Sequence, residues 1–206
     1  MFPGSPRTLR GALVAVDPSS PLPRIVVFQY NPDSVVRTIT PRTDGPSDAR
    51  RIRGAPTEQI TMTVEIDATD GLETGDPVAT TMGVAPQLAA LELLMYPGAA
   101  TVIANTALLM AGTIEILPPE APLTVMVWGP GRTVPVKVQS LRITEQAFDT
   151  ALRPIRAGVE ITAQTLTYSD LPPVDAGYAL FLAHQVANEV LAATAAVTGA
   201  RSATGG

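Results

Sequence analysis

The sequence contains no cysteine and a single histidine. Without thiols there is no disulfide, no thiolate metal site and no cysteine nucleophile. With one imidazole a multi-histidine metal site is excluded. Aromatic residues make up only 4% of 206 residues, so aliphatic side chains have to fill the core. Net charge is −5, so the basic footprint of a nucleic-acid-binding protein is missing. No basic segment followed by an apolar run opens the chain, so Sec-type secretion is not expected; the chain is expected to be made and folded in the cytoplasm. There is no Gly-x-Ser-x-Gly elbow, no P-loop and no Gly-x-Gly-x-x-Gly after a strand. His184 has no neighbouring nucleophile and orienter, so it reads as a structural imidazole. The acidic run Asp67, Asp70, Glu73 and Asp76 lacks the spacing and flanking helices of a calcium loop. No catalytic residue, cofactor site or metal ligand is assigned, and a non-enzymatic role is expected.

What the chain does have is β patterning. Hydrophobic residues are 46% of the sequence, with 20 Pro and 16 Gly to make corners. Leu9 to Val16 reads as a first strand and Arg24 to Tyr30 as a second, rich in β-branched residues. Asn31-Pro32-Asp33-Ser34 then makes a corner. Pro32 fixes its own φ and pushes Asn31 out of the helical region, while Asn31, Asp33 and Ser34 offer side-chain turn bonds. Val35 to Thr40 continues extended. Glu58 to Asp67 shows the clearest period of two: Ile60, Met62, Val64 and Ile66 face one way, and Thr61, Thr63, Glu65 and Asp67 the other. Leu123 to Gly129 is a strand, with Trp128 read as core rather than as an exposed platform. Thr133 to Phe148 is a long strand whose alternation changes phase after Val138. A one-residue phase change turns the buried face over, so a bulge is expected near Ser140. After a turn at Asp149 to Pro154, Ile155 to Tyr168 returns as the second arm of a long antiparallel hairpin.

The rest reads as helix and loop. Asp70 to Pro77 is an acidic turn, and Asp76-Pro77 looks like a helix cap with proline at the first position. A helical tract then runs to about Met95, broken or restarted at Pro86, with an apolar stripe of Leu88, Leu91, Leu94 and Met95 expected to pack on the sheet. Ala99 to Leu117 is apolar and about as long as a marginal membrane span, but Asn105, Gly112, Glu115 and several Thr interrupt it. Membrane insertion is not expected there; a buried or interface-covering helix or loop is. Thr43 to Pro56 carries Arg50, Arg51 and Arg53 beside Asp44 and Asp48. It reads either as a solvated loop or as a charged arm that pairs with a neighbouring subunit, because arginine offers planar, bidentate donors. Leu171-Pro172-Pro173 ends the sheet domain, taken as residues 1–170. Residues 171–206 form an Ala-rich appendage. There Asp175 caps a helix with Tyr178, Phe181, Leu182, Val186, Val190, Ala193 and Val197 at helical spacing, and the tail after Gly199 is expected to be disordered.

Two separated stretches together resemble one family. The first is Phe28-Gln29-Tyr30-Asn31-Pro32. The second begins at Val127-Trp128-Gly129, runs through the long strand to Phe148-Asp149, and resumes at Pro154-Ile155-Arg156-Ala157 with alternating Val159, Ile161 and Leu166. They are similar to the Phe-x-[Phe/Tyr]-Asn-Pro corner and to the Trp-Gly, long-hairpin, Phe-x-x-x-Gly-x-Pro-x-Arg-Ala pattern of the tube-like domain in contractile injection systems. The resemblance covers roughly residues 9 to 170. The glycine before the proline in that pattern is absent here.

The resemblance implies an α+β, mainly β fold: a phage-tail-tube-like β-sandwich or partial barrel with a packed helix, here followed by a C-terminal helix. It also implies a sixfold homomeric ring whose strands build a channel wall. The version with this corner sits at the baseplate, as an adaptor between the inner tube and the trimeric spike hub, and often ends in a LysM module. No LysM pattern follows Pro173. The expected role is thus a structural baseplate adaptor in a phage-tail-like particle assembled in the cytoplasm, with the chain itself, the inner tube, the spike hub and other baseplate proteins as partners. An inner-tube or tube-initiator subunit is the near alternative; a glycan-binding envelope module is the alternative from another class. Arg50, Arg51, Arg53, Asn31, Pro32, Arg156, Phe181, Val186 and Val190 are the candidate subunit-interface residues.

Overall fold

The computed structural model describes residues 9–16, 23–42, 52–112, 121–129 and 131–204, with side chains through residue 196. The loop at Asp17 to Pro21, most of the charged loop with Arg50 and Arg51, and the end of the apolar segment lie outside the described residues. The fold is α+β and mainly β, with a long C-terminal helix. Seven strands form one antiparallel sheet: β1 (Ala12–Val16), β2 (Arg24–Val27), β3 (Val35–Thr40), β4 (Thr57–Asp67), β5 (Leu123–Val127), β6 (Thr133–Phe148) and β7 (Pro154–Thr165). Their order is β2-β1-β5-β6-β7-β4-β3. The expected hairpin is its centre: β6 and β7 pair from Val136–Thr165 to Phe148–Pro154.

The alternation read in β4 places Ile60, Met62, Val64 and Ile66 in the core. Ala157, Val159, Ile161 and Ala163 of β7 and Val134, Val136 and Val138 of β6 complete the buried sheet face. Each fully buried Val, Ile or Met side chain among these contributes roughly 1.5–3 kcal/mol. The register of β6 on β7 slips between Val138 and Ser140, at the predicted bulge. Beyond it Leu141 and Ile143 take over the inward positions, although only half-buried.

The helices are α1 (Thr69–Thr74), α2 (Pro77–Met82), α3 (Ala85–Glu92), α4 (Ala99–Met110) and α5 (Ala176–Thr204). Of these, α1 to α3 and the first part of α5 cover one side of the sheet. The acidic stretch expected as a turn is therefore a helix, α1, which ends at Gly75 in the left-handed region (φ 71°). Asp76 does cap α2: its carboxylate accepts the Val78 N–H at 3.2 Å, with Pro77 at the first position. The helical tract breaks at Gly83 and restarts at Ala85 with Pro86 in the first turn, as expected. Gly83 has φ 58°, and a Cβ there would lie 2.2 Å from the Pro154 carbonyl oxygen, so only glycine lets the tract press against the start of β7. Leu88, Leu91 and Leu94 are buried as expected, while Met95 is 40% exposed. The backbone of α5 is helical through Thr204, past Gly199, where disorder was expected.

The sheet curls. Gln29, just beyond edge strand β2, accepts the Asp67 N–H at 2.9 Å at the far end of β4. Arg24 of β2 donates to the Leu93 carbonyl at 2.8 Å and so fastens the end of α3 to the same edge. The result is a partial barrel with α1 to α3 across its opening.

Candidate functional site

The two sequence stretches that carry the family resemblance meet in space. The strand at Arg24 is shorter than expected, because the chain turns at Phe28 rather than at Asn31. Phe28 is 2% exposed, and its N–H donates to the Gly11 carbonyl at 2.8 Å. Its ring lies 6.3 Å from that of Trp128, tilted by 53°, a favoured aromatic geometry. Gly11 sits under both rings; a Cβ there would be 2.7 Å from Trp128 and 2.8 Å from Phe28. Trp128 is half-buried against the core, and its backbone N–H closes the β5–β6 turn on the Arg132 carbonyl at 2.7 Å. Asn31 finishes the corner. Its Oδ1 accepts the Gly11 N–H at 2.9 Å, and its Nδ2 donates to the Leu9 carbonyl at 2.8 Å. Both amide ends are thus spent on tying down the segment that enters β1.

Arg156 joins the same corner from β7. Its Nε donates to the Asp67 carboxylate at 2.7 Å, while the Asp67 N–H is held by Gln29. Hydrogen bonds from the Thr69 hydroxyl and N–H and the Arg156 guanidinium hold the Asp67 carboxyl below its usual range, against the opposing effect of burial. Gln29, Asp67 and Arg156 therefore link three strands that are far apart in sequence.

Other candidate residues gather at the opposite end of β4. Ala55, 1% exposed, donates its N–H to the Ser169 hydroxyl at 2.9 Å. Gly54 has φ 74°, and a Cβ there would lie 2.5 Å from that hydroxyl. Arg53 is exposed just before this anchor. Phe181 of α5 packs edge-on against Tyr168, with ring centroids 5.9 Å apart. Asn31, Pro32 and Arg156 thus lie at one end of the β4 strand, and Arg53 and Phe181 at the other. Val186 and Val190 are 58% and 62% exposed on the part of α5 beyond the sheet.

His184 is the last buried residue of α5 before this exposed stretch. Asn188 lies 3.0 Å from its Nε2, and its Nδ1 has no hydrogen-bond partner. Burial pushes the imidazole pKa down, and Arg37 and Arg132 add to this, whereas Glu58 and the Gly131 backbone oppose it. Glu58 is itself paired with Arg37.

The outward face of β4, β7 and β6 is polar across its width. Register places Gln59, Gln164 and Lys137 in one row, then Thr61, Thr162 and Ser140, then Thr63, Glu160 and Arg142. The row at Glu65 continues through Gly158 to Thr144, and that at Asp67 through Arg156 to Gln146. Gln139, the bulged residue, bridges the first row: it accepts from Gln59 at 3.0 Å and donates to Gln164 at 2.8 Å. The cations Lys137, Arg142 and Arg156 balance the anions Glu160, Glu65 and Asp67 on this face. Sequence reasoning found the β4 half of it; the amide ladder and the Gly11 seat depend on partners that no local pattern marks.

Among the described residues no group of three His, Cys, Asp or Glu could hold a metal ion, and no helix is long and apolar enough to cross a membrane. The described part of the apolar segment forms α4 (Ala99–Met110), none of whose residues is buried, so it is not the buried element that was one expectation for it. No family model matches the chain, and no curated protein matches it.

Proposed function

We propose that this chain is a structural, non-enzymatic subunit of a contractile injection system: a ring-forming adaptor in the baseplate that joins the inner tube to the spike hub. The observation that carries the reading is the wide polar, charge-balanced face of β4, β7 and β6 in a sheet that ends on edge strands. Such a face suits the wall of a water-filled channel, and edge strands β2 and β3 offer unpaired backbone groups to neighbours. The corner supports the reading too, since Phe28 and Trp128, one from each stretch that resembles the tube-like family, pack together over Gly11. In this reading six copies close a ring in the cytoplasm, the polar face looks inward, and α4, α5 and the charged loop meet the tube, the hub and other baseplate proteins.

Replacing Arg50, Arg51 and Arg53 together by Glu tests the arm directly. The expected outcome is a folded chain, by thermal melting, that no longer enters particles. Particles that assemble normally with this variant would sink the arm's role. Electron microscopy of native particles, beside a preparation from cells lacking the chain, tests the adaptor itself. A sixfold ring between tube and spike that disappears on deletion is the expected result; intact particles without the chain would count against it.

A further inference from the structure

We propose that Ile52, with the arginines on either side of it in the sequence, docks into an acidic-rimmed apolar cavity on a second copy of this chain. The proposal rests on the ring-forming reading above and names the receptor for its arm. The cavity, about 260 Å³, lies between the helices and the Asp67 end of β4. Phe28, Val64, Ile66 and Leu91 form its apolar floor. Glu65, Asp67, Asp76 and Arg10 also line it; Asp67 is already paired with Arg156, which leaves Glu65 and Asp76 against Arg10. A dry cavity of about 150 Å³ already accepts a benzene-sized group, so this one has room for an aliphatic side chain.

The occupant is argued from charge and from reach. Arg51-Ile52-Arg53 is basic with one aliphatic anchor, the complement of the cavity, and Ile52 is 87% exposed in its own chain. Its own cavity is out of range. Ala55 is pinned to Ser169 two residues before β4 begins, whereas the cavity lies at the other end of that 11-residue strand. The strand spans about 33 Å, against the roughly 10 Å that three residues can bridge from Ala55 back to Ile52. Only another copy can deliver the side chain. Donor and receptor lie at opposite ends of the subunit, so the contact is head-to-tail and generates a ring or an open array.

The absence of native cysteine allows a clean test. An Ile52→Cys chain is mixed with a Val78→Cys chain under mild diamide oxidation; Val78 borders the cavity and is 47% exposed. The expected result is a disulfide-linked heterodimer in the mixture, absent when Ile52→Cys is mixed with Val190→Cys on the far part of α5. Charge reversal by Glu65→Arg should weaken association of the otherwise native chain about tenfold. No heterodimer above the Val190 control, at any concentration up to that at which the native chain associates or precipitates, would overturn the proposal. The double variant Ile52→Cys/Val78→Cys separates this proposal from the ring reading. Linked open chains in place of closed sixes would leave the docking standing and remove the ring. Closed sixes without this cross-link would do the reverse.

Discussion

Leu152 shows most directly how one side chain can work against its own backbone. It lies in the β6–β7 turn at φ 59°, where a Cβ is costly, and its side chain is 81% exposed. Counted from Phe148 to Pro154, this is the position at which the family pattern has glycine. The turn keeps its shape because Asp149 gathers it: its carboxylate accepts the Ala151 N–H at 2.8 Å, the Arg153 N–H at 2.9 Å and the Arg153 Nε at 2.6 Å. Leu152→Gly relieves the strain and loses little buried area, while the unfolded chain gains entropy in partial compensation. A net stabilisation of about 0.5 kcal/mol is expected in denaturant melts; a destabilised variant would show that the left-handed turn is wrong. His184 gives a prediction in pH. Its folded pKa lies below the unfolded value of 6.5, so above that pH both states hold a neutral ring and the group contributes nothing. As pH falls below it the unfolded chain binds the proton first, and stability drops until the folded pKa is passed. The melting temperature of the native chain should therefore fall between neutral pH and about pH 5.5 more steeply than that of His184→Asn. Equal slopes would refute a desolvated imidazole. Asp67 and Asp170 do not interfere in this window. Both are held below 3.8, so their contribution is lost only as pH falls through that lower range. At Asp170 burial alone would raise the pKa, but the Thr167 hydroxyl and N–H together with Arg42 outweigh it.

At the scale of elements, what could be read in the sequence followed the strength of the local signal. The alternation of β4, the long hairpin and the bulge were legible because a period of two and its phase change are local facts about Glu58 to Asp67 and Val138 to Leu141. The Asp76 cap was legible for the same reason. Boundaries fell where tertiary contacts overrode propensity. β2 stops at Val27 because Phe28 is drawn under Trp128, and the helical tract breaks at Gly83 because the start of β7 lies against it. α1 was missed since Thr69 to Thr74 has glycine in its interior and no buried residue to produce a stripe. The candidate residues were legible as types, not as places. Nothing in the spacing of Asn31, Arg156 and Arg53 says that the first two share a corner while the third stands at the other end of β4. The cavity beside Glu65 was invisible for a related reason: its walls come from β2, β4 and α1 to α3, which only the curl of the sheet brings together.

For the whole molecule the open question is what covers its edges. β3 has one strand neighbour, β4, and exposes Val36 and Ile39 at 57% and 55%; β2, at the other end of the order, exposes Ile25 and Val27 at 57% and 53%. Two apolar edges on one curled sheet invite open-ended association unless copies close on themselves. A ring meets that demand, because each copy offers one edge to each neighbour and none is left over. The same requirement makes the proposal vulnerable to a single charge. Val36→Lys puts an ammonium on the β3 edge, beside Thr61 of β4, where the long side chain remains solvated in the isolated subunit. The isolated chain should keep its stability to within about 0.5 kcal/mol in denaturant melts, as exposed substitutions usually do. Its assembly, followed by sedimentation velocity, should stop at the monomer. If the charged edge still entered closed rings, β3 would have to lie outside the subunit contact, and the Ile52 arm would be left to join the copies alone.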